Sequence, residues 1–218
     1  MIKNKPFIKS LIDINQPMEN DSCRYSTLSL LLKGARKLSG RDLKTGEYIG
    51  EKLSKQNIED GTDRSFLFTG LMNYLIFLEQ IGTIFNENPR EKNNKIRVAL
   101  KNFSSLTNKK INAVIALRNS FVHNYGLAAY DNNNSNRHLR HKFSLSIERN
   151  TDIVKLPIGN WGGDFSDKSD ETLTEVYIID LIDLIEGIYS QIREGVETDN
   201  LSSKLEEDEI KSRFTIIV

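Results

Sequence analysis

Histidine is the natural proton carrier near neutral pH, and the chain has three: His123, His138 and His141. His138 and His141 stand among Arg137, Arg140 and Lys142, between an asparagine-rich stretch and a polar run. With no orienting partner nearby in sequence they read as solvated, and no cysteine or carboxylate falls at zinc-ligand spacing from them. His123 keeps different company. On the helix read over residues 109–125, Ile111, Val114, Ile115, Val122 and Tyr125 form one stripe at steps of three, four and seven. Arg118 falls on that stripe where an apolar residue is due. A guanidinium there is costly unless it is paired or faces a cleft. Asn119 lies four residues before His123, close enough to orient the imidazole. Arg118 and His123 are about 140° apart around an ideal helix. Either the long arginine side chain or a second protomer must bring the proton carrier and the anion binder together.

The run Arg118-Asn119-Ser120-Phe121-Val122-His123-Asn124-Tyr125 resembles the Arg-x4-6-His motif of the HEPN superfamily, including the polar residue directly after the arginine. It is similar above all to the Arg-x4-His-x-Tyr form in toxins of HEPN–MNT toxin–antitoxin systems. The match covers these few positions and carries over Arg118, Asn119, His123 and Tyr125. The resemblance implies a metal-independent endoribonuclease without cofactor, acting on RNA at a site formed by a homodimer, in a toxin–antitoxin or phage-defence setting. Arg118 and His123 would be catalytic, with Asn119 and Tyr125 supporting. It also implies a nucleotidyltransferase antitoxin as partner, with Tyr125 as the residue that receives adenylate. Each residue has a plainer use. Arg118 can pair with a core carboxylate such as Glu79, His123 can offset the helix dipole before Gly126, and Tyr125 can simply pack. The competing class is a non-catalytic HEPN module that binds a nucleotide, RNA or a protein partner.

The elements that must position the motif read as a mainly α-helical, HEPN-like bundle of four to five helices with a β-hairpin inserted before the last long helix. Residues 1–22 are expected as an irregular N-terminal arm. Residues 23–198 are the helical domain, with the hairpin at about 140–158, and 199–218 form a charged C-terminal extension. Leu28, Leu31, Leu32, Ala35 and Leu38 mark one helix, and a short one is expected at 49–55. Thr62 or Asp63 caps a long apolar helix that runs to about Phe85. A basic segment at 90–103 carries Lys92, Lys95, Arg97 and Lys101, and Thr107 caps the motif helix. After an asparagine-rich loop at 131–136, runs at 142–147 and 152–157 alternate with period two and read as the hairpin. Trp161 sits in a glycine- and aspartate-rich loop, as a hydrophobic plug or a surface for base stacking. The last helix is read over 171–197. Its Asp180, Asp183 and Glu186 recur every three residues and read as solubilising.

Composition narrows the classes. The chain has 218 residues, one domain's worth, with 30 basic and 30 acidic side chains. A neutral chain has no global field to steer a polyanion, so any RNA surface must be local. A single cysteine, Cys23, excludes an internal disulfide and fits a reducing cytoplasm. No signal-peptide pattern follows Met1. The stretch 66–85 approaches bilayer length, but Asn73, Glu79 and Gln80 interrupt it and favour a buried central helix over a membrane span.

Overall fold

The computed structural model describes residues 5–14, 24–49, 65–86, 94–124, 126–130, 138–203 and 205–217. The expectations for Cys23, the cap at Thr62 or Asp63, the asparagine loop at 131–136 and Tyr125 lie outside these residues, as does all but the first residue of the short helix at 49–55.

The first described helix, α1 (Lys5–Ile12), occupies the segment read as an irregular arm. Ile8, Leu11 and Ile12 fall at helical spacing and are buried with Ile14, and the hydroxyl of Tyr189 donates to the carbonyl of Ile12 at 2.9 Å. Pro6 is tolerated because the first turn needs no donated N–H. A short strand, β1 (Arg24–Ser26), leads into α2 (Thr27–Leu38), where the Ser26 hydroxyl accepts from the N–H groups of Leu28 and Ser29. The long apolar helix is α3 (Ser65–Ile84). Leu71, Tyr74, Leu75, Phe77, Leu78, Ile81 and Ile84 are all buried, so it forms the centre of the core. By length and composition alone, residues 66–84 could also cross a membrane.

Asn94 caps α4 (Lys95–Phe103), accepting from the Arg97 N–H at 3.2 Å. The start of α4 lies against Gly82 of α3 so closely that a Cβ there would sit 1.8 Å from the Lys95 carbonyl oxygen. Only glycine permits that approach. The motif helix is α5 (Asn108–Asn124), its first hydrogen bond running from Ile111 N–H to the carbonyl of Thr107. The chain then enters a small sheet. It comprises β2 (Ala128–Ala129), β3 (His141–Ser146), β4 (Val154–Lys155) and β5 (Leu173–Tyr177), in the order β2-β3-β5-β4. The last long helix is α6 (Ile178–Glu197), followed by α7 (Glu207–Phe214) and β6 (Thr215–Ile217), which pairs antiparallel with β1.

The fold is therefore mixed α/β, with seven helices, a four-stranded mixed sheet and a two-stranded ribbon among the described residues. The expected mainly α-helical bundle with a β-hairpin insert is corrected in two places. First, β3 and β4 are not partners. Strand β5 lies between them, parallel to β3 (Lys142 opposite Leu173, Ser146 opposite Tyr177) and antiparallel to β4 (Val154 opposite Val176). Second, β5 takes residues 173–177 from the expected last helix, which begins only at Ile178. Thr174 and Val176 alternate inward and are fully buried, and two flanking strands satisfy the backbone on both sides. Pairing with two partners outweighs the helical pattern that continues downstream.

Candidate functional site

Helix α5 buries Ile111, Val114, Leu117 and Phe121, and Phe121 packs against Phe68 of α3 with ring centroids 4.3 Å apart. Val122, expected on the buried stripe, is instead 41% exposed. The apolar face thus turns by one residue toward the helix end, which leaves Arg118 on the flank facing α3 and His123 exposed in the last turn.

Arg118 is half-buried and engaged. Its Nη2 donates to Glu79 Oε2 at 2.5 Å, and its Nη1 donates to Asn119 Oδ1 at 3.3 Å. Its Nε is buried without a hydrogen-bond partner. The carboxylate that could neutralise the arginine in the plain reading is the one that does so. Asn119, expected to orient His123, is turned toward Arg118. No hydrogen bond or ion pair joins Arg118 to His123 among the described residues. The helix end is closed by Ser120, whose hydroxyl donates to the Gly126 carbonyl at 2.8 Å. One chain thus presents an anion binder and a proton carrier on adjacent faces of one helix without joining them.

The other two histidines separate. His138 is exposed, whereas His141, expected to be solvated, is buried on the inner face of the sheet. Its Nδ1 lies 2.8 Å from Thr174 Oγ1 and its ring stacks on Phe143. Burial pushes its pKa below the usual imidazole value. Period-two reading places 141, 143 and 145 on one face, so this signal was present in the sequence.

The acids of α6 also depart from expectation. Glu186 is buried rather than solubilising, accepting from Arg36 Nε at 2.8 Å, Arg36 Nη2 at 2.6 Å and the Tyr74 hydroxyl at 2.5 Å. Burial and the neighbouring Glu186 charge push the Tyr74 pKa well above its ordinary value. Asp183 pairs with Arg41 at 2.5 Å and with Arg149, which also reaches Asp180 at 2.9 Å. Arg36 and Glu186 each occupy a stripe position due an apolar residue (Leu32 and Ile182 lie four residues earlier), the same anomaly that singles out Arg118.

The basic residues of the segment at 90–103 and of the start of α5 are partly committed to the fold. Arg97 Nη2 donates to Asn112 Oδ1 at 2.7 Å, and Lys110 pairs with Asp152. Lys101 and Lys109 remain exposed. Trp161 is a plug, as one of its two readings expected. It is 3% exposed, with Nε1 donating to the Asp164 carbonyl at 2.9 Å. A shallow pocket of about 430 Å³ opens on the outer face of the sheet, between Ser144, Lys155, Ile158, Glu171 and Glu175. No motif residue lines it, so it has no share in the chemistry considered for α5.

No protein-family model, curated protein or solved structure matches the chain.

Proposed function

We propose that the chain is a metal-independent endoribonuclease of the HEPN type, acting in the cytoplasm on RNA as a homodimer in a toxin–antitoxin or phage-defence setting. The observation that carries the reading is the pair Arg118 and His123 at one end of α5, one half-buried and braced, the other exposed. His123 takes the proton of a ribose 2′-hydroxyl as its oxygen attacks the adjacent phosphorus, or returns a proton to the departing 5′-oxygen. Arg118 neutralises the charge that grows on the phosphate oxygens. One imidazole cannot do both at the same moment, and a twin subunit supplies the second. Val122 and Leu127, 41% and 40% exposed, flank His123 in sequence and offer an apolar surface for that twin. Glu79 does not block the arrangement: a partly exposed ion pair contributes only about 1 kcal/mol, so a phosphodiester can compete for the guanidinium. A nucleotidyltransferase antitoxin that modifies Tyr125 completes the proposal.

The test uses purified protein and RNA in EDTA. RNA is cut by the wild type, and Arg118→Ala or His123→Ala abolishes cutting while the far-ultraviolet circular-dichroism spectrum stays that of the folded chain. The melt is unchanged for His123→Ala and lowered for Arg118→Ala by the loss of its Glu79 pair, about 1 kcal/mol. Cleavage that survives both substitutions overturns the mechanism.

A specific observation favours a second reading, a non-catalytic module that binds a nucleotide, RNA or a protein partner. Arg118 already has its counter-ion in Glu79 and no bond to His123. A dimer structure separates the two readings. Paired Arg118 and His123 groups opening on an RNA-sized cleft support catalysis, and groups sealed within the fold support the module.

A further inference from the structure

Beside the buried Trp161 stand two further rings. Phe165 meets Trp161 at 5.2 Å between centroids and 85° between planes, and meets Tyr130 at 6.1 Å and 61°. Tyr130 meets Trp161 at 6.2 Å and 69°. All three contacts are of the favourable edge type. Tyr130 is held from two further sides. The Arg140 guanidinium lies 5.1 Å from its centroid, and Gly163, at φ +94°, approaches so near that a Cβ would sit 2.0 Å from Tyr130 Cε2. On this fixed base Phe165 is 65% exposed. Scattered exposed apolar residues are ordinary, but a ring braced edge-on by two others has less rotamer freedom left to lose on binding.

The charges around the cluster are mixed, and the cations that can meet a phosphate are Arg140 on the rings and Lys168, exposed three residues beyond Phe165. Asp164 is turned into its own loop, accepting from Ser166 N–H at 2.8 Å and Ser166 Oγ at 2.7 Å. Asp167 is matched by Lys142 at 3.7 Å and accepts from Thr172 Oγ1 at 2.6 Å. Asp170 and Glu171 line the pocket on the outer face of the sheet. The cation that lies on the rings is Arg140. Tyr130 follows His123 by seven residues, so the two are at most about 25 Å apart along the chain. A single RNA strand can span both.

We propose that Phe165, backed by Tyr130 and Trp161 and flanked by Arg140, is a stacking subsite for an unpaired base of single-stranded RNA. The proposal rests on the ribonuclease reading and extends it to the class of substrate, because bases locked in a duplex cannot reach an aromatic platform. Trp161 is the only tryptophan in the chain and reports on the site by its fluorescence. The probe is a short single-stranded 2′-O-methyl RNA, which lacks the attacking hydroxyl and stays intact. Titration gives a saturable change in Trp161 emission, and the same sequence as a duplex binds more weakly. Phe165→Ala weakens single-strand binding about tenfold, Phe165→Tyr restores it, and Phe165→Leu does not. Unchanged binding by Phe165→Ala, or full rescue by Phe165→Leu, overturns the subsite. So does a dimer that dissociates in Phe165→Ala with RNA affinity unchanged, which makes the rings a contact between copies. The two proposals fail separately. If the wild type cuts no RNA but binding still depends on Phe165, the nuclease reading falls and the subsite stands. If cutting is intact and Phe165→Ala leaves its KM unmoved, the subsite falls alone.

Discussion

Glu79 Oε2 lies 2.5 Å from Arg118 Nη2, joining the middle of α3 to the last turns of α5. The carboxylate is 28% exposed and the guanidinium side chain 19%, so the pair is neither a solvated surface contact nor a sealed core one. A phosphate must compete with Glu79 for the same nitrogen. Glu79→Gln removes the competing charge and keeps the shape. The expected result is a severalfold lower KM for RNA with kcat little changed, and a stability loss of about 1 kcal/mol. Steady-state cleavage and urea melts read both. A raised KM would make Glu79 a positioning residue instead of a competitor.

Arg36 and Glu186 behave differently because they are sealed, at 1% and 11% side-chain exposure. Removing one partner of a buried pair strands the other, at a cost of roughly 3–5 kcal/mol. Glu186→Ala, which also leaves the Tyr74 hydroxyl without its acceptor, is expected to lose that much in urea unfolding. The double substitution Arg36→Met with Glu186→Leu fills the same space without charge and is expected to cost less than Glu186→Ala alone.

These two pairs show what a sequence can and cannot disclose. An arginine interrupting an apolar stripe is visible at positions 36 and 118, and it says that a partner exists. At 118 Glu79 is legible as that partner because α3 reads as the central helix. At 36 Glu186 is not legible, because the regular spacing of Asp180, Asp183 and Glu186 looks like a solvated face. The helices themselves follow from local periodicity, which a single chain shows directly. The sheet does not. Alternation marks 142–147 as strand, but the neighbour of β3 is β5, some thirty residues on, and its five residues precede a long helix that masks them. Long-range pairing leaves no local trace, and the short-loop hairpin was the default that it displaced.

Burial of His141 makes stability depend on pH. Its folded pKa lies below the unfolded value of about 6.5. Above that value both states are neutral and the histidine contributes no slope. As pH falls through it, the unfolded chain takes up a proton that the folded chain refuses, so stability declines until the lowered folded pKa is reached. His141→Gln keeps a polar group near Thr174 Oγ1 and cannot titrate. Urea midpoints measured from pH 7.5 down to about 5 are expected to fall more steeply for the wild type than for this variant.

Two glycines offer a paired check on packing. Gly82→Ala would press a methyl into the Lys95 carbonyl at 1.8 Å, forcing α3 and α4 apart at a cost of about 1–3 kcal/mol. Gly187, on exposed α6 surface, has nothing within 4 Å of the position a Cβ would take. Gly187→Ala is expected to stabilise by roughly 0.5–1 kcal/mol through helix propensity alone. Thermal melts of the two variants should move in opposite directions.

The dimeric site is tested most directly at Val122. The side chain is 41% exposed, one residue before His123, so a charge there leaves the single chain's own packing nearly untouched. If a second copy covers this end of α5, Val122→Glu places an unpaired carboxylate in an apolar contact and should split the assembly. The expected outcome is a dimer-to-monomer shift in sedimentation, an unchanged melting profile at matched subunit concentration after allowing for lost dimer stabilisation, and loss of RNA cleavage together with the dimer. The coupling is what matters. Monomers that cut RNA at the wild-type rate would show that one Arg118 and one His123 suffice. A variant that stays dimeric and active would move the contact between copies away from this helix end.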